Sequence, residues 1–305
     1  MMTDEQEITA ELTAEAMAGV SDVPLSVTFA AKSDLGRVRE NNEDKFDWWE
    51  PDSPEVLKSL GRLYAVSDGM GGHAAGQIAS EMALKTIGKV YYADPAVDPR
   101  DALERAIRAA NTLVHVTGRA VPSRAGMGCT IVAVALVGST AIIGWVGDSR
   151  AYLVRGGAAT CITEDHSLVQ EQVRAGILTE EEAATSGYRN VITRSIGAEE
   201  NVQPEFRNVP LSAGDAVLLC SDGLTGVVGD TEIGEAVCSD SPSFACSRLV
   251  DVANEKGWPD NITVAILRVN GVQSESPEPQ KEPKETEPET RERGFLGLLR
   301  KKSVS

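Results

Sequence analysis

Five short segments of this chain place an acidic residue where an apolar run meets a tight turn. The apolar runs 63–66 and 216–220 lead directly into two of them. An apolar strand carries its terminal carboxylate to the edge of a sheet, and a following glycine lets the backbone turn away or approach a ligand closely. The segments are Asn41-Asn42-Glu43-Asp44, Ser67-Asp68-Gly69-Met70-Gly71-Gly72, Gly147-Asp148-Ser149-Arg150, Ser221-Asp222-Gly223 and Pro259-Asp260-Asn261.

Carboxylates gathered at one sheet edge would raise each other's pKa, because like charges in proximity disfavour ionisation. Divalent cations relieve that repulsion, and an oxygen-rich site with few histidines suits a hard metal such as Mg²⁺ or Mn²⁺. The alternative for any one segment is a structural turn, since Asp-Gly is a common turn dipeptide. The residues by themselves leave both interpretations open, an acidic metal site and a set of turns.

The elements that must position these acids alternate between apolar strands and amphipathic helices. Periodicity predicts helices over 75–91, 101–116 and 243–256, with Asp101 as the N-cap of the second. Three strands lie within 130–155 and are joined by short turns, which indicates antiparallel hairpins and an α+β fold with helices covering the sheet. The predicted strands are 24–31, 62–67, 130–137, 141–147, 150–155, 203–209, 215–220 and 262–269.

Composition excludes several classes of protein. The net charge of the 305 residues is −17, and such an acidic body repels a nucleic-acid backbone, so no nucleic-acid partner is expected. The five cysteines are odd in number and form no Cys-x-x-Cys pair, which argues against a disulfide framework and a zinc knuckle. No apolar run is long enough for a transmembrane segment, and the acidic N-terminus does not resemble a signal peptide, so the expected location is the cytoplasm.

Two tails are predicted to flank one body that spans residues 24–270. Residues 1–23 form an acidic arm, and residues 271–293 form a Pro/Glu-rich linker that has too few apolar residues to fold. Residues 294–305 place four large apolar side chains beside three bases. This last segment is either a floppy tail or a docking segment for a partner groove or an anionic membrane surface.

The acidic segments, in this order and spacing, resemble those of the metal-dependent PP2C-type (PPM) protein serine/threonine phosphatases, especially the bacterial branch. The resemblance covers residues 24–269, and it includes the segments 33–44, 65–73, 126–130, 147–150, 219–224 and 259–264. It implies a sandwich of two mainly antiparallel β-sheets flanked by helices, in α-β-β-α layers. It also implies hydrolysis of phosphoserine and phosphothreonine, with a serine/threonine kinase and its substrates as partners.

Residue roles follow from the same resemblance. Two Mn²⁺ or Mg²⁺ ions are implied, with Asp68 bridging them and the Gly69 carbonyl, Asp222 and Asp260 completing the first. Glu43 and Asp44 would support the second ion, and Asp148 with Asp222 resembles a pair that holds a third, weaker one. Arg39 matches a phosphate-binding arginine, whose planar fork suits two phosphate oxygens.

The implied mechanism is direct attack on phosphorus by a water that bridges the two metals. The sequence offers no usual protein nucleophile: no cysteine precedes an arginine at Cys-x5-Arg spacing, and no Asp-x-Asp nucleophile pair is present. The chain has three histidines, too few for the calcineurin-like metallophosphatases.

The general acid is left open by the resemblance. Eukaryotic relatives have a histidine directly after the first Asp-Gly, where this chain has Met70. His73 is therefore either the proton donor to the leaving oxygen or a helix cap. His115 is interpreted as structural, and His166 as part of a helix start capped by Asp165 or Ser167.

Substrate contacts are expected from residues 167–196, which resemble the flap subdomain of the bacterial members. Arg189 and Arg194 either bind acidic neighbours of the phosphorylated residue or lie on a solvated helix surface. Two alternatives to the phosphatase hypothesis remain, a catalytically weak phosphoprotein-binding pseudophosphatase and a phosphatase of small metabolites.

Overall fold

The computed structural model describes residues 25–71 and 74–272. His73, the acidic arm, the Pro/Glu-rich linker and the C-terminal segment lie outside the described residues. Elements below are numbered in chain order.

Two five-stranded antiparallel sheets form the centre of the described residues. The first has the order β1 (Leu25–Asp34), β12 (Ile262–Val272), β11 (Ala216–Cys220), β8 (Arg150–Arg155) and β9 (Ala158–Cys161). The second has the order β10 (Glu205–Pro210), β7 (Thr140–Val146), β6 (Ile131–Val137), β3 (Arg62–Ser67) and β2 (Lys45–Trp49). The short pair β4 (Gly69–Met70) and β5 (Gly128–Cys129) adds a two-stranded ladder.

Helices cover the outer face of each sheet, as the α+β prediction requires. The long helices are α2 (Ala75–Tyr91) and α3 (Pro99–Ala120), which pack on the second sheet, and α8 (Pro242–Glu255), which packs with α7 (Asp230–Ser239) on the first. The shorter helices are α1 (Pro54–Ser59), α4 (Leu168–Arg174), α5 (Glu180–Thr185) and α6 (Asp222–Thr225), and residues Pro122–Arg124 form a 3₁₀ turn. No helix of the described residues is both long and apolar enough to cross a membrane.

A third apolar core fills the space between the two sheets. Tyr64 on β3 and Trp145 on β7 are its largest fully buried side chains, and they pack with residues of β11 and β12 from the opposite sheet. The strands are consistently apolar here because both of their faces are covered, one by the other sheet and one by helices. The layers are therefore helix, sheet, sheet and helix, which confirms the predicted fold class.

One capping prediction is wrong. The N-cap of α3 is Asp98, whose Oδ1 accepts hydrogen bonds from the backbone N–H groups of Arg100 (2.9 Å) and Asp101 (3.4 Å). Asp101 lies in the first turn of the helix instead. The helix starts earlier than its apolar stripe because Pro99 occupies the first helical position, where a proline needs no hydrogen-bond acceptor.

Candidate metal centre

The predicted acids come from the ends of strands in both sheets. Asp68 follows β3 and Asp222 follows β11, while Asp148 lies in the turn between β7 and β8. Asp260 precedes β12, and Asp44 directly precedes β2. The two facing sheets therefore deliver these side chains to one acidic cluster, which we define as Asp44, Asp68, Asp148, Asp222 and Asp260.

The negative charges of the other four aspartates of the acidic cluster act on Asp68. Burial raises the pKa of its carboxyl well above the usual range, and the charges of the other four aspartates raise that pKa further. Its backbone is fixed on both sides by Thr130, whose Oγ1 accepts from the Asp68 N–H (3.0 Å) and whose N–H donates to the Asp68 carbonyl (2.8 Å). Thr130 Oγ1 also lies 2.7 Å from Ser149 Oγ, which connects the Asp68 turn to the turn that carries Asp148.

Asp222 and Asp148 are similarly perturbed. Burial, followed by the charges of Asp148 and Asp260, raises the pKa of Asp222 to about 8. Burial, followed by the charge of Asp165, raises the pKa of Asp148 to about 7. Burial is the larger cause of both pKa shifts, and the repulsion between gathered carboxylates adds to it.

Asp44 is the most deeply buried member of the cluster, at 1% exposure. Its Oδ2 accepts a hydrogen bond of 2.7 Å from Ser221 Oγ, the residue before Asp222. Burial nevertheless raises the pKa of Asp44 to about 6, since the hydrogen bonds from Ser221 and Thr263 offset only part of the desolvation.

Glu43 is held beside the cluster by its backbone. Its N–H donates to Asn261 Oδ1 (2.8 Å), and its carbonyl accepts from Ser80 Oγ on α2 (2.6 Å). The amide nitrogen of Asn261 donates to the carbonyls of Leu35 (2.9 Å) and Asn41 (3.0 Å). Asn261 thereby ties the loop that precedes β2 to the loop that precedes β12.

Gly69 explains why a glycine must follow Asp68. A Cβ at this position would overlap the carbonyl of Gly76 and lie 2.8 Å from the carbonyl of Glu43. The missing side chain lets the start of α2 pack directly against the Asp68 turn, next to the carbonyl that was predicted to bind a metal.

Arg39 lies at the edge of the acidic cluster. Its Nη2 lies 2.6 Å from Asp260 Oδ2, and its side chain is about half exposed. The contact with Asp260 raises the pKa of Arg39, and the charges of Glu43 and Asp68 contribute. A half-exposed guanidinium in this position is accessible to an anion that approaches the cluster.

The donor set fits hard divalent cations. Asp44 Oδ1 and Asp222 Oδ1 are buried and have no hydrogen-bond partner, and an unpaired buried carboxylate oxygen is costly unless a cation compensates it. Every side chain of the cluster is a carboxylate, the ligand that Mg²⁺ and Mn²⁺ prefer. No three His, Cys, Asp or Glu side chains in residues 25–71 and 74–272 form a ready-made cage, so binding an ion would draw the carboxylates closer.

The two flap arginines lie in different environments. Arg189 is exposed and lines a cavity that also includes Asp148 and Asp222. Arg194 does not line that cavity; its Nη1 donates to Gln203 O (3.1 Å) and Glu205 Oε1 (3.0 Å) and lies 3.1 Å from His166 Nε2.

The two described histidines both have structural contacts. Nδ1 of His166 accepts from the N–H of Gly147 (3.0 Å), and its Nε2 lies 3.1 Å from Glu205 Oε1. His166 therefore links the Asp148 turn to Glu205, while Ser167 caps α4 through its Oγ, as one of the two proposed caps. His115 lies on α3, with Nδ1 3.0 Å from the carbonyl of Gly197.

Several supporting residues were missed from sequence. Ser221, Thr130 and Asn261 each stand inside a quoted motif, and that position was the available signal for them. Trp258, whose ring packs against Gly226, gave no comparable signal. Its role depends on contacts that are distant in the chain.

The sequence of this chain is similar to one protein family and to several named relatives. The family model described as "Protein phosphatase 2C" matches residues 33–262. The protein phosphatase PhpP of Streptococcus pneumoniae is 40% identical over 243 residues, which cover 78% of this chain and 96% of that protein. The serine/threonine protein phosphatase PstP of Mycobacterium tuberculosis is 37% identical over 247 residues, covering 81% of this chain and 46% of that longer protein.

Solved structures agree with these matches. A crystal structure of M. tuberculosis PstP aligns with a TM-score of 0.71 and 36% identity, covering 80% of this chain and 98% of that one. A structure of the PstP catalytic domain in complex with two manganese ions aligns with a TM-score of 0.69 and 37% identity, covering 80% and 99%.

Proposed function

This chain belongs to the protein phosphatase 2C family, and we propose that its acidic cluster holds the metals with which it hydrolyses phosphoserine and phosphothreonine in proteins. The chain is a metal-dependent protein serine/threonine phosphatase, a phosphoric monoester hydrolase. The names of the relatives support this function, and they do not support a pseudophosphatase or a metabolite phosphatase. The observation that carries the residue-level proposal is the set of buried, mutually repelling aspartates with two unpaired oxygens.

The proposed ligand roles are those implied by the family. Asp68 would be shared by two Mn²⁺ or Mg²⁺ ions, and Gly69 O, Asp222 and Asp260 would complete one of them. Glu43 and Asp44 would support the other, and Asp148 with Asp222 would hold a third, weaker ion. When bound, the ions would neutralise these carboxylates and lower the pKa of a water that attacks phosphorus.

The chain's own residues would orient the substrate and keep the carboxylates in place. Arg39, already next to Asp260, would bind two oxygens of the phosphoryl group through its planar guanidinium. Asn261 and Thr130 would hold the turns that carry Glu43 and Asp68, since each bonds the backbone of its turn. His73 remains a proposed proton donor to the leaving oxygen.

We also propose the substrates, the partners and the location of this chain. The relatives are named as protein phosphatases, so phosphorylated proteins are the substrates, and we expect a serine/threonine kinase among the partners. We place the activity in the cytoplasm because the five cysteines are odd in number and form no Cys-x-x-Cys pair, which suits a reducing compartment. Docking through residues 294–305 remains a separate proposal, tested by deleting that segment and comparing localisation and co-purified proteins.

The test is hydrolysis of a phosphothreonine peptide by the full chain, with Mn²⁺, with Mg²⁺ and with a chelator. Asp68→Asn and Asp222→Asn should each lower kcat/KM by about 100-fold or more, because each removes a charged ligand. Asp215→Asn is the control, since Asp215 is a buried aspartate outside the acidic cluster that is bonded to Arg155. Metal-independent turnover, or equal loss in all three variants, would refute the metal-centre assignment; tight peptide binding without turnover would indicate a phosphoprotein-binding module.

A further inference from the structure

A cavity of about 280 Å³ lies beside the acidic cluster. Asp148 and Asp222 contribute to its lining, as do Arg189, Gly226 and Trp258. A substrate whose phosphoryl group reaches the acidic cluster would therefore place neighbouring residues at or in this cavity.

The guanidinium of Arg189 lies over the indole ring of Trp258. The centre of its guanidinium group lies 5.8 Å from the ring centroid, a distance that allows a cation–π interaction. The indole in turn lies against Gly226, where a Cβ would be 2.5 Å from two ring atoms. The N–H of Gly226 donates to the carbonyl of Asp222 (2.8 Å), so an unbroken series of contacts runs from Arg189 to the acidic cluster.

Two arginines, Arg150 and Arg189, line the cavity, and they differ in whether a carboxylate already binds them. Arg150, the other cation of the cavity, is held by both carboxylate oxygens of Asp165, at 2.9 and 2.7 Å. Within residues 25–71 and 74–272, no carboxylate forms an ion pair with Arg189. The Nε1–H of Trp258 is buried and has no hydrogen-bond partner among the described residues.

We propose that Arg189 and Trp258 form a subsite for an anionic side chain, a carboxylate or a second phosphate, near the scissile phosphorylated residue of the substrate. This subsite rests on the proposed function of the acidic cluster. The planar guanidinium suits a carboxylate or a phosphate, and its contact with the indole places it in the lining of this cavity.

Glu180 is the competing charge in the same lining. Its Oε1 lies 3.4 Å from Nε2 of Gln170 on α4, whereas Arg189 contacts Trp258, which packs against Gly226 near the acidic cluster. The anion-selecting charge is therefore the one connected to the acidic cluster. A basic preference would instead assign the subsite to Glu180.

The experiment compares kcat/KM for phosphothreonine peptides that differ at one flanking position, which carries Glu, Gln, Lys or a non-hydrolysable phosphonate. At the best flanking position we expect the full-length protein with Mn²⁺ to prefer the anionic peptides over Gln by roughly tenfold, the size of one charge-assisted hydrogen bond. In Arg189→Gln this ratio should fall to about 1. Arg189→Lys, which keeps the charge but not the planar stack, should give an intermediate ratio.

Glu180→Gln is the matched control because it removes the opposite charge from the same cavity, and its ratio should equal or exceed that of the wild type. Trp258→Leu should lower the ratio toward that of Arg189→Lys, with Tm recorded to confirm folding. Peptide affinities measured by fluorescence anisotropy in an Asp68→Asn background give the same comparison without turnover.

The possible results distinguish the subsite proposal from the proposed phosphatase function. Hydrolysis with no preference at any flanking position, or a Lys preference abolished by Glu180→Gln, would overturn the subsite and leave the phosphatase function standing. Absence of turnover, together with anion-dependent binding that Arg189→Gln removes, would overturn the proposed function and support the subsite.

Discussion

At the scale of single residues, the carboxylates of the acidic cluster destabilise the metal-free fold but can bind metal ions. Asp222 keeps one buried oxygen without a partner, and burial and its neighbours raise its pKa to about 8. A neutral amide of the same shape would not repel Asp148 and Asp260. The residue is therefore expected to weaken the metal-free fold that contains it.

We predict that Asp222→Asn stabilises the protein in chelator by on the order of 1 kcal/mol, since one pKa unit corresponds to about 1.4 kcal/mol. The wild type should regain the advantage with Mn²⁺, because it binds the metal more tightly. Urea unfolding with and without Mn²⁺ measures both effects. Asp215→Asn should destabilise under both conditions, because it breaks the ion pair with Arg155. A less stable Asp222→Asn in chelator would show that repulsion is not a significant cost.

His166 makes the free energy of unfolding depend on pH. Burial lowers its pKa below the ordinary value, and the charges of Arg194 and Arg174 lower it further, although Glu205 acts in the opposite direction. The folded state therefore binds fewer protons than the unfolded state. The stability contributed by neutral His166 is present above its unfolded pKa of about 6.5 and is lost as the pH falls below it.

His166→Asn tests this sign. The amide oxygen can still accept from the Gly147 N–H, but the side chain does not titrate. Between pH 7.5 and 5.5 the wild type should lose more free energy of unfolding than the variant, by at most about 1.4 kcal/mol per pH unit for one proton. Parallel pH profiles would contradict the prediction.

At the scale of elements, helix α2 contributes to the metal centre through its first turn. A Cβ on Gly76 would lie 2.5 Å from Glu43 Oε2 and 2.8 Å from the backbone carbonyl carbon of Gly69, whereas a Cβ on Gly88 of the same helix would overlap the Trp49 ring. The two glycines separate metal binding from core packing within one helix.

We predict different effects of the two alanine variants on Mn²⁺ binding. Gly76→Ala should displace the Glu43 carboxylate and the Gly69 backbone, so it should weaken Mn²⁺ binding severalfold and also lower the free energy of unfolding. Gly88→Ala should lower the free energy of unfolding by about 1–3 kcal/mol through overpacking, with Mn²⁺ affinity unchanged. Calorimetric Mn²⁺ titration and urea unfolding of both variants measure the two effects. Equal loss of metal affinity would indicate that α2 responds as a rigid whole.

The helices and strands could be predicted from the sequence where the apolar periodicity was strong and extended over many residues. All eight predicted strands and three predicted helices are confirmed, because apolar alternation and helical stripes report burial directly. The missed strands β2, β4, β5 and β9 and the missed helices α1 and α4 to α7 are short, and β2 mixes Lys45 and Asp47 with aromatics. The order of motifs identified the carboxylates, but the Arg189–Trp258 stack could not be predicted, since it joins residues that are far apart in the chain.

At the scale of the whole molecule, the first and last described strands close the same sheet. β1 pairs with β12 from Leu25↔Val272 to Asp34↔Ile262, and β12 also pairs with β11. Asp260 and Asn261 immediately precede β12, so this strand, which pairs on both sides, anchors both the sheet and one side of the metal centre.

We therefore predict that a protein of residues 25–272 keeps the Tm of the full chain within a few degrees and its phosphopeptide kcat/KM within about twofold, because every described contact of the site lies inside it. Ending the chain at residue 261 should instead prevent cooperative folding, because β12 supplies buried side chains to two of the three cores. Thermal unfolding and peptide hydrolysis of the three proteins test this difference. A large loss of activity in the 25–272 protein, with its Tm unchanged, would assign a catalytic contribution to residues 1–24 or 273–305.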